Sequence, residues 1–331
     1  MSADDGRTIT VTEAARRLRD ETSILLVTHE APDGDALGSL AAMALVAGSL
    51  GITVKSYVPG DTFFPSEYSF LSGLERVHRG TPPDVAQGTT VYMLDCASLM
   101  RSHGHRFEQG AFRVNIDHHQ DNPGYGELNL IVPDAPSTTL ILHDVFKEAG
   151  IPLDLRVAEA LYVGLVTDTG RFQYSNTTPA AHRMAAELIE AGLDVNAVYR
   201  KVYESTPLPK LVLLQQALCH LELRLKGQLI TAWIGPEDFA RAGAEEGHTE
   251  GIVDQLRRIQ GARVAAFARL RDRDGVPECK VSLRSTDGSV NVAEIAGAKG
   301  GGGHVRAAGF TSKAAVDEVL DWVEGEVRTR L

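Results

Sequence analysis

The chain has 331 residues, a net charge of −11, and 43% hydrophobic and 23% charged content, the composition of an ordinary soluble globular protein with room for more than one core. The acidic excess argues against a protein that grips long nucleic acid through many phosphate contacts. No apolar run approaches the ~20 residues that span a bilayer, the Met1–Gly6 stretch has no apolar signal-peptide region, and three scattered cysteines without ligand-like pairing fit a reducing cytoplasm.

Residues 10–21 read as a first helix, with Thr10 or Thr12 as its N-cap. An apolar, β-branched run, 24–28, then predicts a strand that ends in His29-Glu30-Ala31-Pro32-Asp33-Gly34-Asp35, before an Ala/Leu-rich helix from Ala36 to Leu50 closed by Gly51. Strand, tight loop and helix is the arrangement in which an open α/β sheet places ligands beyond the carboxyl ends of its strands. Asp33 and Asp35 share that loop and could serve two neighbouring cations, although Pro-Asp-Gly-Asp is equally good turn material.

Thr53 to Val58 is a second strand, and Val91 to Leu94 a third that ends in Asp95. A carboxylate there meets desolvation unless it is paired or coordinated; the other reading is a cap for a turn begun by Ala97-Ser98. Phe112 to Ile116 is a fourth strand, ending in Asp117-His118-His119. Adjacent side chains diverge, so one imidazole can ligate a metal while the other faces a substrate, with Asp117 fixing a ring tautomer; a surface turn is the plainer alternative. Short apolar strands alternating with helical patterns predict an α/β fold with a parallel sheet and helices on both faces.

Residues 137–149 and 154–168 read as helices, and the far end of the second delivers Asp168 within Gly164-Leu165-Val166-Thr167-Asp168-Thr169-Gly170, a run suited to close backbone approach or to a simple helix C-terminal turn. Residues 179–191 and 194–203 look helical too. Ser205-Thr206-Pro207-Leu208-Pro209-Lys210 is the best linker candidate, because two prolines in three residues stiffen the chain and break helices. The expected organisation is a first domain over 1–203, a linker over 204–220 and a second domain over 221–331.

Beyond the linker, 221–225 and 228–234 alternate around Lys226-Gly227 as a hairpin, and 264–270 and 278–284 do the same around Arg273-Asp274-Gly275. With helices near 249–259, 291–296 and 313–328, this predicts a smaller α+β domain with a mainly antiparallel sheet. Gly300-Gly301-Gly302-Gly303-His304-Val305-Arg306 leaves backbone N–H groups free to approach an anion, or forms a flexible loop. Arg284 lies near a strand end.

Carboxylates and imidazoles suit Mn²⁺, Mg²⁺ or Zn²⁺ better than copper or an Fe–S cluster. Five or six such groups converging on one sheet edge point to two metals sharing a bridging carboxylate. Such pairs, about 3.5–4 Å apart, clamp the attacking and leaving oxygens of a phosphoryl displacement.

Taken in order, Thr28-His29, Pro32-Asp33-Gly34-Asp35, Gly38-Ser39, Leu94-Asp95, Asp117-His118-His119 with Asn122, Thr167-Asp168-Thr169-Gly170, and Gly300–His304 with Ala307-Ala308-Gly309 resemble the motifs of the DHH phosphoesterase family. Within it they resemble the branch that hydrolyses short oligoribonucleotides and 3′-phosphoadenosine-5′-phosphate (pAp). The resemblance implies a dinuclear site, usually two Mn²⁺ with Mg²⁺ or Co²⁺ as substitutes. His29, Asp33 and Asp95 would ligate one ion, and Asp35, Asp95, His118 and Asp168 the other, with Asp95 as the bridge and Asp117 behind the ligands. His119 would act on the scissile phosphate, and Arg284, Gly301, Gly302, Gly303 and His304 would hold the far part of the substrate. Short RNA or DNA oligonucleotides and nucleoside bisphosphates are the implied substrates, and a homodimer is implied by the same likeness. A RecJ-like exonuclease on longer single strands is the rival enzyme, and a catalytically silent nucleotide-binding regulator the rival from another class.

Overall fold

The computed structural model describes residues 6–60, 65–107, 111–273 and 276–331. The chain divides into two compact units, Met1–Ser205 and Thr206–Leu331.

The first unit is built on seven strands: β1 (Arg7–Thr8), β2 (Ser23–Val27), β3 (Thr53–Pro59), β4 (Val77–Gly80), β5 (Thr90–Leu94), β6 (Phe112–Asp117) and β7 (Leu128–Ile131). They pair side by side in the order β1-β7-β6-β5-β2-β3-β4, every pair parallel. The chain leaves β2 toward β3 and β4, then returns to the opposite side of β2 for β5, β6 and β7. The order therefore reverses between β2 and β5, the place where open sheets of this kind bind ligands beyond the carboxyl ends of their strands.

Among the described residues six α-helices accompany this sheet: α1 (Val11–Asp20), α2 (Gly34–Ser49), α3 (Thr138–Glu148), α4 (Leu155–Asp168), α5 (Pro179–Glu190) and α6 (Val195–Tyr203). Alternate strand residues such as Ile24, Leu26, Tyr92 and Leu94 meet helix residues such as Leu18, Leu37, Leu40, Phe146, Leu161 and Leu188 in the main core. The intervening residues Leu25, Val27, Val91 and Met93 form a smaller cluster with Tyr57 and Phe107. Both sets are buried, so the strands read as continuous apolar runs rather than alternating ones. Helical cover was expected on both faces. Among the described residues the smaller cluster is instead covered by a short 3₁₀ turn, Gly104–Phe107, and by loop residues Val85, Ala111 and Tyr125.

The second unit opens with α7 (Leu208–Cys219), which occupies most of the stretch expected as linker. Pro207 stands at its N-cap and Pro209 in its first turn, where a missing N–H costs nothing, and Leu213 and Ala217 are fully buried. The prolines start a helix here rather than breaking one. After it come β8 (Glu222–Arg224), β9 (Leu229–Ile234), α8 (Pro236–Ala242), α9 (Ile252–Leu256), β10 (Val264–Arg273), β11 (Val276–Ser285), α10 (Val292–Gly297), β12 (Gly302–His304), β13 (Ala307–Ser312) and α11 (Val316–Arg328). The six strands pair as β12-β13-β11-β10-β9-β8, antiparallel except for β9 with β10. One face packs Val281 and Leu283 on Ile295, Val319 and Val323; the other packs Ile230 and Phe267 on Leu213, Ile252 and Leu256.

The turn expected around Arg273-Asp274-Gly275 falls on residues 274–275, outside the described residues. Helical structure in 249–259 shrinks to five residues of α9, preceded by a 3₁₀ turn at Glu246–Thr249. Among the described residues no helix is long and apolar enough to cross a membrane.

Candidate metal centre

The centre lies at the ends of β2, β5 and β6. The loop after β2 carries His29 and Asp33, and Asp33 also caps α2: its Oδ1 accepts from the backbone N–H groups of Asp35 and Ala36 at 3.1 and 3.0 Å. The turn reading and the ligand reading of this loop are thus compatible, because a carboxylate has a second oxygen to offer. Asp35 is in the first turn of α2, fully buried and turned toward the start of α3. Its Oδ2 accepts from the Thr138 N–H at 2.6 Å, and its Oδ1 from the Thr139 N–H at 3.0 Å and hydroxyl at 2.8 Å.

Asp95 follows β5 with a backbone φ of 54°, a left-handed conformation that Asp tolerates better than most residues. Its N–H donates to the Ile116 carbonyl, which continues the ladder to β6, while the reversed backbone turns the residue out of the strand. The Thr138 hydroxyl donates to Asp95 Oδ1 at 2.9 Å. His118 and His119 follow β6; His118 Nδ1 lies 3.1 Å from the Ala135 carbonyl, leaving Nε2 toward the carboxylates. Asp168 ends α4. That helix approaches α2 closely because a Cβ on Gly164 would fall 2.5 Å from Asp35 Oδ1 and 2.4 Å from Thr139 Cγ2.

The resulting distances are short throughout. His118 Nε2 is 3.5 Å from Asp168 Oδ2, 3.6 Å from Asp95 Oδ1 and 4.0 Å from Asp35 Oδ2; His29 Nε2 is 3.9 Å from Asp95 Oδ2. Three sets of side chains have ligand atoms within 4.8 Å of one another: His29, Asp33 and Asp95; Asp35, His118 and Asp168; and Asp95, His118 and His119. Asp95 and His118 each belong to two of the three.

Electrostatics favour a cation at this cluster. Burial raises the carboxyl groups of Asp35 and Asp95, and Asp33 adds repulsion to both; Asp95 stands well above the ordinary carboxylate range, with Asp35 the second cause. Asp168 is pushed up to about 8, first by burial and then by Asp35 and Asp33. Burial keeps the His29 ring below its usual value. Crowded, desolvated carboxylates beside imidazole nitrogens are the donors that a hard or borderline divalent ion prefers, so the residues fit such a group.

Asp117 stands one step behind. Its Oδ1 accepts from His119 Nδ1 at 2.7 Å and from the His118 N–H at 2.8 Å, and its Oδ2 from Asn122 Nδ2 at 2.5 Å. Burial opposes both charges, yet the pair prevails: Asp117 is held below the ordinary range and His119 above its own, each mainly through their mutual hydrogen bond.

All eight first-unit residues picked out from the sequence meet at this one sheet edge. Sequence reasoning missed Thr138 and Thr139, whose signal was an Ser-Thr-Thr run at a helix start, and Arg101, whose Nη2 lies 2.9 Å from His29 Nδ1.

In the second unit, Arg284 of β11 and His304 of β12 both pair with Ala307 of the intervening β13. That register puts them on one sheet face about 10 Å apart, two strand spacings. Arg284 is also bonded to Asp254 at 3.2 Å. The glycine run is not a loose loop here, since Gly302 and Gly303 are strand residues. A Cβ on Gly301 would fall 2.2 Å from the Gly309 carbonyl, and one on Gly303 2.4 Å from the Ala307 carbonyl, so two of these glycines are required by strand packing.

Residues 23–165 match the model of the DHH family, N-terminal domain, and residues 226–329 that of the DHHA1 domain. A bifunctional oligoribonuclease and PAP phosphatase NrnA of Thermus thermophilus is 35% identical, over 94% of this chain and 91% of that one. An exopolyphosphatase-related protein from Bacteroides fragilis superposes with a TM-score of 0.85 at 22% identity, covering 96% of this chain and 95% of the other. RecJ of Thermus thermophilus, solved with Mn²⁺, gives 0.57 at 15% identity, covering 96% of this chain and 55% of RecJ.

Proposed function

The chain belongs to the DHH family of phosphoesterases and is a hydrolytic enzyme, and on that premise we propose that it cleaves short oligoribonucleotides to mononucleotides and removes a phosphate from pAp, with two Mn²⁺ ions. The observation that carries the reading is the sharing of Asp95 and His118 between adjacent ligand sets at the sheet's switch point. The oligoribonuclease and PAP phosphatase of Thermus, alike over nearly its full length, supports the choice of substrate.

His29, Asp33 and Asp95 would hold one ion, and Asp35, Asp95, His118 and Asp168 the other; Mg²⁺ or Co²⁺ would be workable substitutes. Two such ions supply an acidified water and neutralise the attacking and leaving oxygens of an in-line displacement. The chain's own groups do the positioning. Thr138 and Thr139 fix the carboxylates of Asp95 and Asp35, and Ala135 orients the His118 ring. His119, favoured in its charged form by Asp117, offers a proton and a positive charge to the scissile phosphate or its leaving oxygen. Arg284 and the Gly301–His304 strand would take the part of the substrate away from the reacting phosphate.

The test is Mn²⁺-dependent product release from pAp, from the dinucleotide pApA, and from RNA and DNA of two to about two dozen nucleotides, since grip on a longer strand grows with length and weakens with salt. Rates falling steeply with length support the reading. Flat or rising rates, above all on DNA, overturn it in favour of a RecJ-like exonuclease.

A further inference from the structure

His29 makes two contacts through one ring nitrogen. Its Nδ1 lies 2.9 Å from the Glu30 backbone carbonyl and 2.9 Å from Nη2 of Arg101. A carbonyl oxygen only accepts and a guanidinium only donates, so Nδ1 cannot be hydrogen-bonded to both at once. Protonated, it donates to Glu30 and turns an N–H against the guanidinium; unprotonated, it accepts from Arg101 and turns a lone pair against the carbonyl.

The other ring nitrogen decides between them. His29 Nε2 faces Asp95 and belongs to the ligand set of His29, Asp33 and Asp95. A neutral imidazole that gives its Nε2 lone pair to a cation carries its proton on Nδ1. That state satisfies Glu30 and releases Arg101. The Arg101 backbone stays in place meanwhile, because its carbonyl accepts the Glu30 N–H at 2.7 Å. Only the side chain has to turn. Beyond its contact with His29, no ion pair engages Arg101 among the described residues. A half-buried guanidinium spared from carboxylates at the edge of a cation site keeps its fork of N–H groups for a phosphoryl group.

We propose that Arg101 is a phosphate-binding residue gated by cation loading: it rests on His29 Nδ1 in the metal-free protein, and a cation on Nε2 turns it toward the substrate's phosphoryl oxygens. The proposal rests on the phosphoesterase reading for its substrate, but its test uses no turnover.

The experiment titrates wild type, Arg101→Met and Arg101→Lys with Mn²⁺, following the free ion by electron paramagnetic resonance, and then titrates methyl phosphate calorimetrically into each loaded protein. Both variants lose the bond that competes with loading, so each is expected to bind Mn²⁺ at one site about fivefold more tightly, the worth of one hydrogen bond. Tightening in the Met variant alone would mean that charge accounts for it, and the gating would be overturned; unchanged or weaker Mn²⁺ binding in both overturns it too. Methyl phosphate is expected to bind about tenfold more weakly to the Met variant and at an intermediate strength to the Lys variant. Equal affinity in all three removes the phosphate-binding role. Should the Met variant fail to fold, the Lys variant decides both points. If wild type hydrolyses neither pAp nor short RNA while these titrations follow expectation, the substrate assignment falls and the role of Arg101 stands.

Discussion

The carboxylate of Asp35 is held by Thr139 through both the backbone N–H and the hydroxyl, at 3.0 and 2.8 Å. A candidate ligand on α2 thereby also satisfies first-turn N–H groups of α3 that the helix itself leaves unpaired. Thr139→Val keeps the branched shape and deletes only the hydroxyl. It is expected to lower stability by about 1 kcal/mol and metal affinity by about 10- to 100-fold, read by urea unfolding and Mn²⁺ titration. Wild-type metal affinity in this variant would show that Asp35 needs no such hold.

Asp95 is shared by two of the candidate ligand sets, and its carboxyl is raised first by burial and then by its acidic neighbours. Asp95→Asn keeps a side chain that tolerates the left-handed backbone. Turnover should fall to near background, while the metal-free variant should melt at a higher temperature than metal-free wild type, because a desolvated, repelled charge is gone. Hydrolysis and thermal melts in EDTA measure both, and near-normal hydrolysis would refute the shared role.

The pH dependence of the metal-free protein has a definite sign. A carboxyl group raised in the folded state stabilises the fold while protonated; its contribution is complete below the unfolded value of about 4 and is lost as pH rises through the folded value. For Asp168 that upper value is about 8, and Asp35 and Asp95 are raised as well. In EDTA, thermal stability should therefore decline between about pH 4 and pH 8 on this account, and Mn²⁺ should restore most of it at the alkaline end. A metal-free melting temperature that climbs across this window would contradict the assignment.

The two adjacent histidines should separate cleanly. His118 Nε2 lies within 4.0 Å of three carboxylates, whereas His119 Nδ1 is committed to Asp117. His118→Ala should lose metal, and His119→Ala should retain it while kcat falls about 10²–10⁴-fold, the usual worth of general acid–base help. Metal loss in the His119 variant instead would mean that the two roles are reversed.

Gly164→Ala tests the close approach of α4. The added methyl would meet Thr139 Cγ2 and Asp35 Oδ1 inside contact distance, so a loss of about 1–3 kcal/mol is expected, together with weakened metal binding. Unchanged metal affinity would mean that α2 and α4 can part without disturbing Asp35.

Much of this candidate site was legible in the sequence because most of its residues sit at or just beyond strand ends, where an apolar run stops at an Asp or His and the residue types carry the chemistry themselves. His29, Asp95, Asp117, His118 and His119 follow that pattern, and Asp33 lies further along the loop after β2. The parallel sheet followed from short apolar strands alternating with helical patterns, and the two hairpin strand pairs of the second unit from their period of two. Tertiary structure decided what depends on contacts between distant segments. Strand order, and so the reversal between β2 and β5, is a matter of pairing that no local pattern encodes. Pro207-Leu208-Pro209 could break a helix or begin one, and burial of Leu213 and Ala217 settled it for α7. The glycines at 301 and 303 looked like freedom for an anion, but the missing Cβ atoms make room for the carbonyls of β13. The hold of Thr138 and Thr139 on the acids, and of Arg101 on His29, joins residues 43 to 104 positions apart. Residue type names the chemistry a side chain can perform; only the folded chain fixes which partner it meets.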